Sequence, residues 1–405
     1  MERFHTPSPR RRPTQSRDWA AGHRISVILG TRPEAIKLAP VVHAMAEHAR
    51  VRVILTGQHK EMVDDLLSDL DLQPDVRLGA MRPRQTLNGL TGRLMEAIGA
   101  DLDAHLPDAV IVQGDTTTAM CGALAAFHLG IPVAHVEAGL RSGNRTNPFP
   151  EEANRRLIAQ LTTWHFAPTP RAASNLFREG HDPCSVHMTG NTVIDSLLWV
   201  RKKGLGVSAF SSSSPRRLLV TLHRRETQGL QMARVCQAIG AVAEALDMEV
   251  VLPMHRSPAV REGILPILRK NPMVRLVEPL GYVDLIATLA HATLVVTDSG
   301  GIQEEAPSLG VPVLVARDTT ERPEGIEAGC AQLVGTDPFT ISSSIRELVT
   351  NPKTHAAMAR VQNPFGDGNA ASRISARMLE DLTGGDDLTA PAQRERDEAD
   401  RCILI

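Results

Sequence analysis

The residues best suited to chemistry recur at one kind of position, the far end of an apolar run. Asp115 follows such a run in "VQGDTTTAM" and Glu137 does so in "HVEAGLRSG", while Glu151 and Glu152 open the next helical stretch in "NPFPEEANRRL". Carboxylates brought to one rim can act as base and acid toward a single substrate. Plainer readings exist for each alone. Asp115 could simply cap the helix that its three following threonines begin, and Glu152 is a charge that a helix N-terminus favours. Three acids at equivalent ends are harder to explain that way.

The second half repeats the placement with other side chains. "LLVTLHRRET" brings His223 to the end of a run, and "VVLPMHRSP" does the same for His255. One such histidine is readily structural, but two at successive ends suggest a polar site. "VVTDSGGIQEEAPSLGVPVLV" breaks at Ser299, Gly300 and Gly301 before a helical stretch. Glycine lets a ligand approach the backbone, and free amides at a helix start hold phosphate. Glu305, one turn in, could accept hydrogen bonds from ribose hydroxyls, and Arg322 in "RDTTERPEG" adds a cation. In the first half "GTRPEAIKLAP" offers Arg32 and Lys37 to an anion, although Lys37 reads equally well as solvated. Thr31 and Glu34 have capping-box spacing, with Pro33 in the first turn. There is no GxGxxG, so no dinucleotide site is implied.

Positioning these residues falls to alternating elements. Apolar runs predict strands over 24–29, 51–56, 109–113, 133–136, 164–167, 185–188, 217–222, 249–253, 274–277, 294–297 and 311–315. Helical periods predict helices over 33–48, 61–67, 86–104, 117–129 and 151–161. Strands alternating with helices give an α/β fold with parallel sheets covered on both faces. A Gly- and Ser-rich break, "KKGLGVSAFSSSSP", separates two such patterns, so two doubly wound, Rossmann-like domains with a central cleft are expected: 23–200, a linker at 201–215, and 216–369. The first 22 residues and 383–405 read as disordered extensions.

Composition narrows the partners. A formal charge of −2 gives no strong pull toward nucleic acid or an anionic membrane, and 3% aromatics provide no stacking platform. No apolar run approaches the ~20 residues a membrane span needs. Five scattered cysteines without CxxC spacing suggest neither disulfides nor zinc, which suits a cytoplasmic setting.

Taken in order, "GTRPEAIKLAP", "GDTTT", "HVEAGLRSG", "PFPEEANRRL", "TGNTVID", "HRRE", "TDSGGIQEEAPSLGVPVL…RDTTERPEG" and "NPFGDGNAASRI" resemble the non-hydrolysing UDP-N-acetylglucosamine 2-epimerases over about residues 24–375. The resemblance implies a glycosyltransferase-B-like fold, a homodimer, and neither metal nor redox cofactor. It implies a last helix, 370–382, crossing back to the first domain, and a second domain that binds UDP. The implied reaction interconverts UDP-GlcNAc and UDP-ManNAc by eliminating UDP to a 2-acetamidoglucal and adding it back. Asp115, Glu137 and Glu151 become acid/base candidates, with His223 contacting the diphosphate or assisting its departure. Arg32, Lys37, Ser299, Gly300, Gly301, Glu305 and Arg322 match UDP-binding positions. Gln58, Arg84 and His255 match positions used for a second UDP-GlcNAc that acts as activator. The chain departs at Leu222 and Gln113, where Gly or Thr and His are common, which could reshape the pocket. A hydrolysing relative releasing UDP and ManNAc, a glycosyltransferase of the same fold and an inactive UDP-sugar sensor are the alternatives. A role for the product in polysaccharide biosynthesis fits but is one of several.

Overall fold

The computed structural model describes residues 22–57, 60–82, 84–211, 214–223 and 230–384. Two compact units emerge, one formed by the chain up to Thr189 together with Ala371 onward, the other by Gly190–Ala370. The first unit contains β1 (Arg24–Leu29), α1 (Arg32–Ala46), β2 (Arg50–Leu55), α2 (Lys60–Asp69), β3 (Val76–Arg77), α3 (Leu87–His105), β4 (Ala109–Gln113), α4 (Thr117–His128), β5 (Val133–Val136), α5 (Glu151–Leu161), β6 (Trp164–Ala167), α6 (Pro170–Arg178) and β7 (Val186–Met188). The second contains α7 (Thr192–Lys203), β8 (Arg217–Thr221), α8 (Leu230–Leu246), β9 (Glu249–Pro253), α9 (Pro258–Leu268), β10 (Val274–Val277), α10 (Tyr282–Ala290), β11 (Leu294–Thr297), α11 (Gly300–Glu305), β12 (Val313–Val315), α12 (Pro323–Ala328), β13 (Ala331–Leu333), α13 (Pro338–Thr350) and α14 (Pro352–Ala359). The last helix, α15 (Ala370–Thr383), packs with the first unit, where Asp381 accepts the Trp164 indole N–H at 2.7 Å.

Both sheets are wholly parallel. Their strand orders are β3-β2-β1-β4-β5-β6-β7 and β10-β9-β8-β11-β12-β13. Each order reverses at one point, between β1 and β4 and between β8 and β11, and ligands of doubly wound sheets bind beyond the strand carboxyl ends at such reversals. Helices on both faces explain why the strands are near-continuous apolar runs. In the second unit Leu218, Val220, Val250 and Leu252 pack with Met232, Ile239 and Ile345, while Leu219, Val251 and Val295 face Leu289 and Ile302. Alternate residues therefore supply two separate cores.

The expected strands are present, with edges set by local chemistry. Pro312 has no N–H for the ladder, so β12 begins at Val313 rather than 311. β3 and β13, of two and three residues, went unseen because they are too short to show a period. α7 takes in residues 192–200, read from sequence as the end of the first domain, and the first three residues of the expected linker, and it packs against α10 and α11 of the second unit. The Asn191 amide donates to the Phe365 carbonyl at 2.7 Å, which ties the turn before α7 to that unit. Both terminal extensions fall almost wholly outside the described residues.

Gly30 shows how tightly the first reversal is built. A Cβ there would stand 2.4 Å from Thr56 Oγ1 and 2.6 Å from Thr118 Oγ1. Only glycine lets β1 turn into α1 beneath those two buried threonines, whose hydroxyls are 3.0 Å apart.

Candidate active site

In the first unit the candidate acids hang from a cross-linked rim. Glu34, one turn into α1, is buried and works harder than a cap. Its Oε2 accepts the Gly30 and Thr31 amides at 3.0 and 2.7 Å and the Thr31 hydroxyl at 2.7 Å, and its Oε1 accepts the Thr116 hydroxyl at 2.7 Å. Burial raises its pKa, and these donors oppose the rise. One carboxyl thus joins the end of β1 to the loop carrying Asp115.

Glu137, just past β5, has a left-handed backbone with φ +65°, and its side chain is 7% exposed. Lys37 of α1 pairs with its Oε1, and the Gln113 amide at the end of β4 donates to its Oε2. Lys37, expected to meet an anionic ligand, meets this carboxylate. Between them Gly114 takes φ +70°, and its carbonyl lies 2.7 Å from His135 Nε2. Burial, above all, pulls the His135 pKa down to about 4.

Asp115 faces α5. Its carbonyl accepts from Asn154 at 2.9 Å, and its Oδ2 lies 2.5 Å from Arg155. Arg155 also contacts the fully buried Glu152 at 3.2 Å. Glu152 accepts the Ser142 amide at 2.9 Å and Arg156 at 3.2 Å, so its structural reading holds. Glu151 differs. It sits at the first position of α5, and its Oε2 is buried with no hydrogen-bond partner. The rim therefore carries one carboxylate paired through both oxygens, one paired with an arginine and one with an open oxygen. Arg32 lies half-buried at the first position of α1, beside this rim.

In the second unit His223 and His255 follow neighbouring strands, and their rings stack with centroids 5.8 Å apart and 22° between planes. Ser299 caps α11 by backbone alone, with no side-chain cap bond. A Cβ on Gly301 would lie 3.9 Å from Glu305 Oε2, so that carboxylate turns back beneath the glycine turn. Burial first, and Glu305 second, push the Tyr282 hydroxyl well above its ordinary pKa. Arg322 caps α12 and its Nε donates to Glu304, whose other oxygen accepts Asn191 at 3.1 Å.

The remaining expected positions scatter. Arg84 occupies an exposed left-handed turn before α3, with φ +53°, and Gln58 lies outside the described residues. Sequence reasoning passed over Asp298, Gln113's bond to Glu137, and Arg155. Asp298 carried a usable signal, being an acid at a strand end like Asp115. Arg155 did too, standing four residues after Glu151 and three after Glu152 on one helix.

Two parallel doubly wound units, one rimmed with carboxylates and one with a glycine turn at its reversal, define an α/β enzyme of the Rossmann-like, two-domain kind. Residues 43–379 match the family described as UDP-N-acetylglucosamine 2-epimerase. The UDP-N-acetylglucosamine 2-epimerases of Yersinia pestis and of Escherichia coli K12 are each 44% identical over 364 residues, 87% of this chain and 97% of theirs. The crystal structure of UDP-GlcNAc 2-epimerase from Neisseria meningitidis bound to UDP-GlcNAc is 40% identical, with a TM-score of 0.80, over 88% of this chain and 100% of that one. The chain belongs to the UDP-N-acetylglucosamine 2-epimerase family.

Proposed function

We propose that this protein interconverts UDP-GlcNAc and UDP-ManNAc without net hydrolysis. The observation that carries the reading is the carboxylate rim of Asp115, Glu137 and Glu151 in a chain of this family. Nucleotide-sugar ligands are supported by the Neisseria meningitidis relative, whose structure holds UDP-GlcNAc.

The C2 proton of the sugar is not adjacent to a carbonyl, so an enolate route is closed. Elimination avoids this. A carboxylate takes the C2 proton, the C1–O bond breaks with its electron pair leaving on UDP, and a 2-acetamidoglucal remains. Re-addition joins the UDP oxygen to C1 while a second acid delivers a proton to the opposite face of C2. Glu151, with its open oxygen, and Asp115, which a single arginine contacts, are assigned this exchange. Glu137, neutralised by Lys37, holds the local charge and geometry. The second unit binds the nucleotide through the Ser299-Gly300-Gly301 turn, with Glu305 on the ribose and Arg322 at the diphosphate. His223 stabilises the departing diphosphate. A second UDP-GlcNAc as activator, a homodimer and a cytoplasmic location complete the proposal.

Proton NMR of the purified protein with UDP-GlcNAc in D2O tests it. UDP-ManNAc should grow in with deuterium at C2, and Asp115→Asn should slow that growth by about 10²-fold or more while UDP still binds. Free UDP with free ManNAc would identify a hydrolase instead. Parent-like turnover of the variant would remove Asp115 from the acid/base pair.

A further inference from the structure

We infer that Asp298 is the positioning residue of His223, fixing which ring nitrogen faces the ligand. This rests on the proposed function for its catalytic meaning but not for its geometry.

The two residues leave adjacent strands at the reversal of the second sheet. β8 and β11 run in register to Thr221 and Thr297, whose hydroxyls are 2.6 Å apart. One residue on, the Asp298 amide donates to the Thr221 carbonyl at 3.1 Å. The Asp298 side chain then prolongs this ladder past the strand ends. Its Oδ2 accepts the His223 amide at 2.9 Å, and its Oδ1 stands 3.0 Å from His223 Nδ1. The carboxylate is fully buried, whereas the imidazole is 41% exposed. One oxygen thus latches the backbone of His223 by a hydrogen bond and the other lies at ion-pair distance from its ring, while His255 stacks on a ring face.

A buried carboxylate beside Nδ1 selects the ring form with a proton there, which leaves Nε2 to meet a ligand. When the ring is doubly protonated, Nε2–H donates to a phosphate oxygen and the carboxylate balances the cation. No burial of a second charge is needed at the moment UDP departs, because the counter-charge is already in place.

Asp298→Asn separates the latch from the ring contact. The amide keeps one oxygen for the His223 backbone but presents NH2 to Nδ1. The ring must then offer a lone pair at Nδ1 and carry its proton on Nε2. We expect kcat to fall about 10²-fold with KM for UDP-GlcNAc little changed. On a His223→Asn background the same substitution should cost nothing further. In 15N NMR of the free protein, the His223 Nδ1 resonance should be of the protonated type, and should become the unprotonated type in Asp298→Asn.

Several results would overturn the inference. One is parent kcat in Asp298→Asn alongside an impaired His223→Asn. Another is losses that multiply in the double variant. A third is a parent ring with its proton on Nε2, a result that stands even if the variant fails to fold. Absence of C2 deuteration in the parent protein would defeat the proposed reaction alone, because the ring NMR still decides whether the dyad exists.

Discussion

At the residue scale, Glu137 is the rim acid with most invested in its surroundings. Its left-handed backbone is strained for a non-glycine residue. Lys37 and Gln113 address its two oxygens from α1 and β4. The buried carboxylate then depends on its counter-charge, since a charge left unpaired away from water is costly. Lys37→Met should therefore lower unfolding stability by about 3 kcal/mol, read from urea midpoints. Glu137→Gln combined with it should recover part of that loss, because the stranded charge is gone. A double variant whose loss is the sum of the two single losses would show that the pair is not coupled.

Elements, one level up, converge on the rim because their starts are stitched together. Glu34 binds the β1 turn to Thr116, Asn154 and Arg155 bind α5 to Asp115, and Gly30 lets α1 begin where it does. Gly30→Ala forces a methyl into the hydroxyls of Thr56 and Thr118. It should destabilise by about 1–3 kcal/mol in thermal or urea unfolding. An unchanged midpoint would mean that the threonines move aside freely. The capping box was legible in the sequence because it is a four-residue pattern. Glu34's fourth partner, Thr116, was not, because it lies 82 positions away.

For the whole molecule, stability should depend on pH through two buried histidines and one half-buried one. His135, His165 and His187 have pKa values pulled down to about 4, about 2 and about 4, chiefly by burial. Unfolded, each takes a proton near pH 6.5; folded, it resists until far lower. Stability is therefore full above that pH and falls as the solution acidifies, by about 2 kcal/mol per histidine at pH 5. Glu179 and Glu152, whose pKa values are lowered, add the same sign at lower pH, and Glu34, whose pKa is raised, opposes them. Urea midpoints at pH 7.5 and 5.0 measure the slope, and His165→Phe should make it shallower. An identical slope in that variant would remove His165 from the account. Among the described residues no helix is long and apolar enough to cross a membrane.

The sequence by itself placed all strands but β3 and β13, the helices α1 to α5, the parallel sheets that their alternation implies, and Asp115, Glu137 and His223 at strand ends with Glu151 at a helix start. Those signals are local: hydrophobic period, cap spacing, and polar residues at the ends of apolar runs. Tertiary structure decided which of these groups face one another. It paired Lys37 with Glu137 across 100 residues and His223 with Asp298 across 75, and it placed residues 192–200 in the second unit. Such pairings follow from which strands become neighbours at a sheet's reversal, and spacing along the chain does not encode that adjacency.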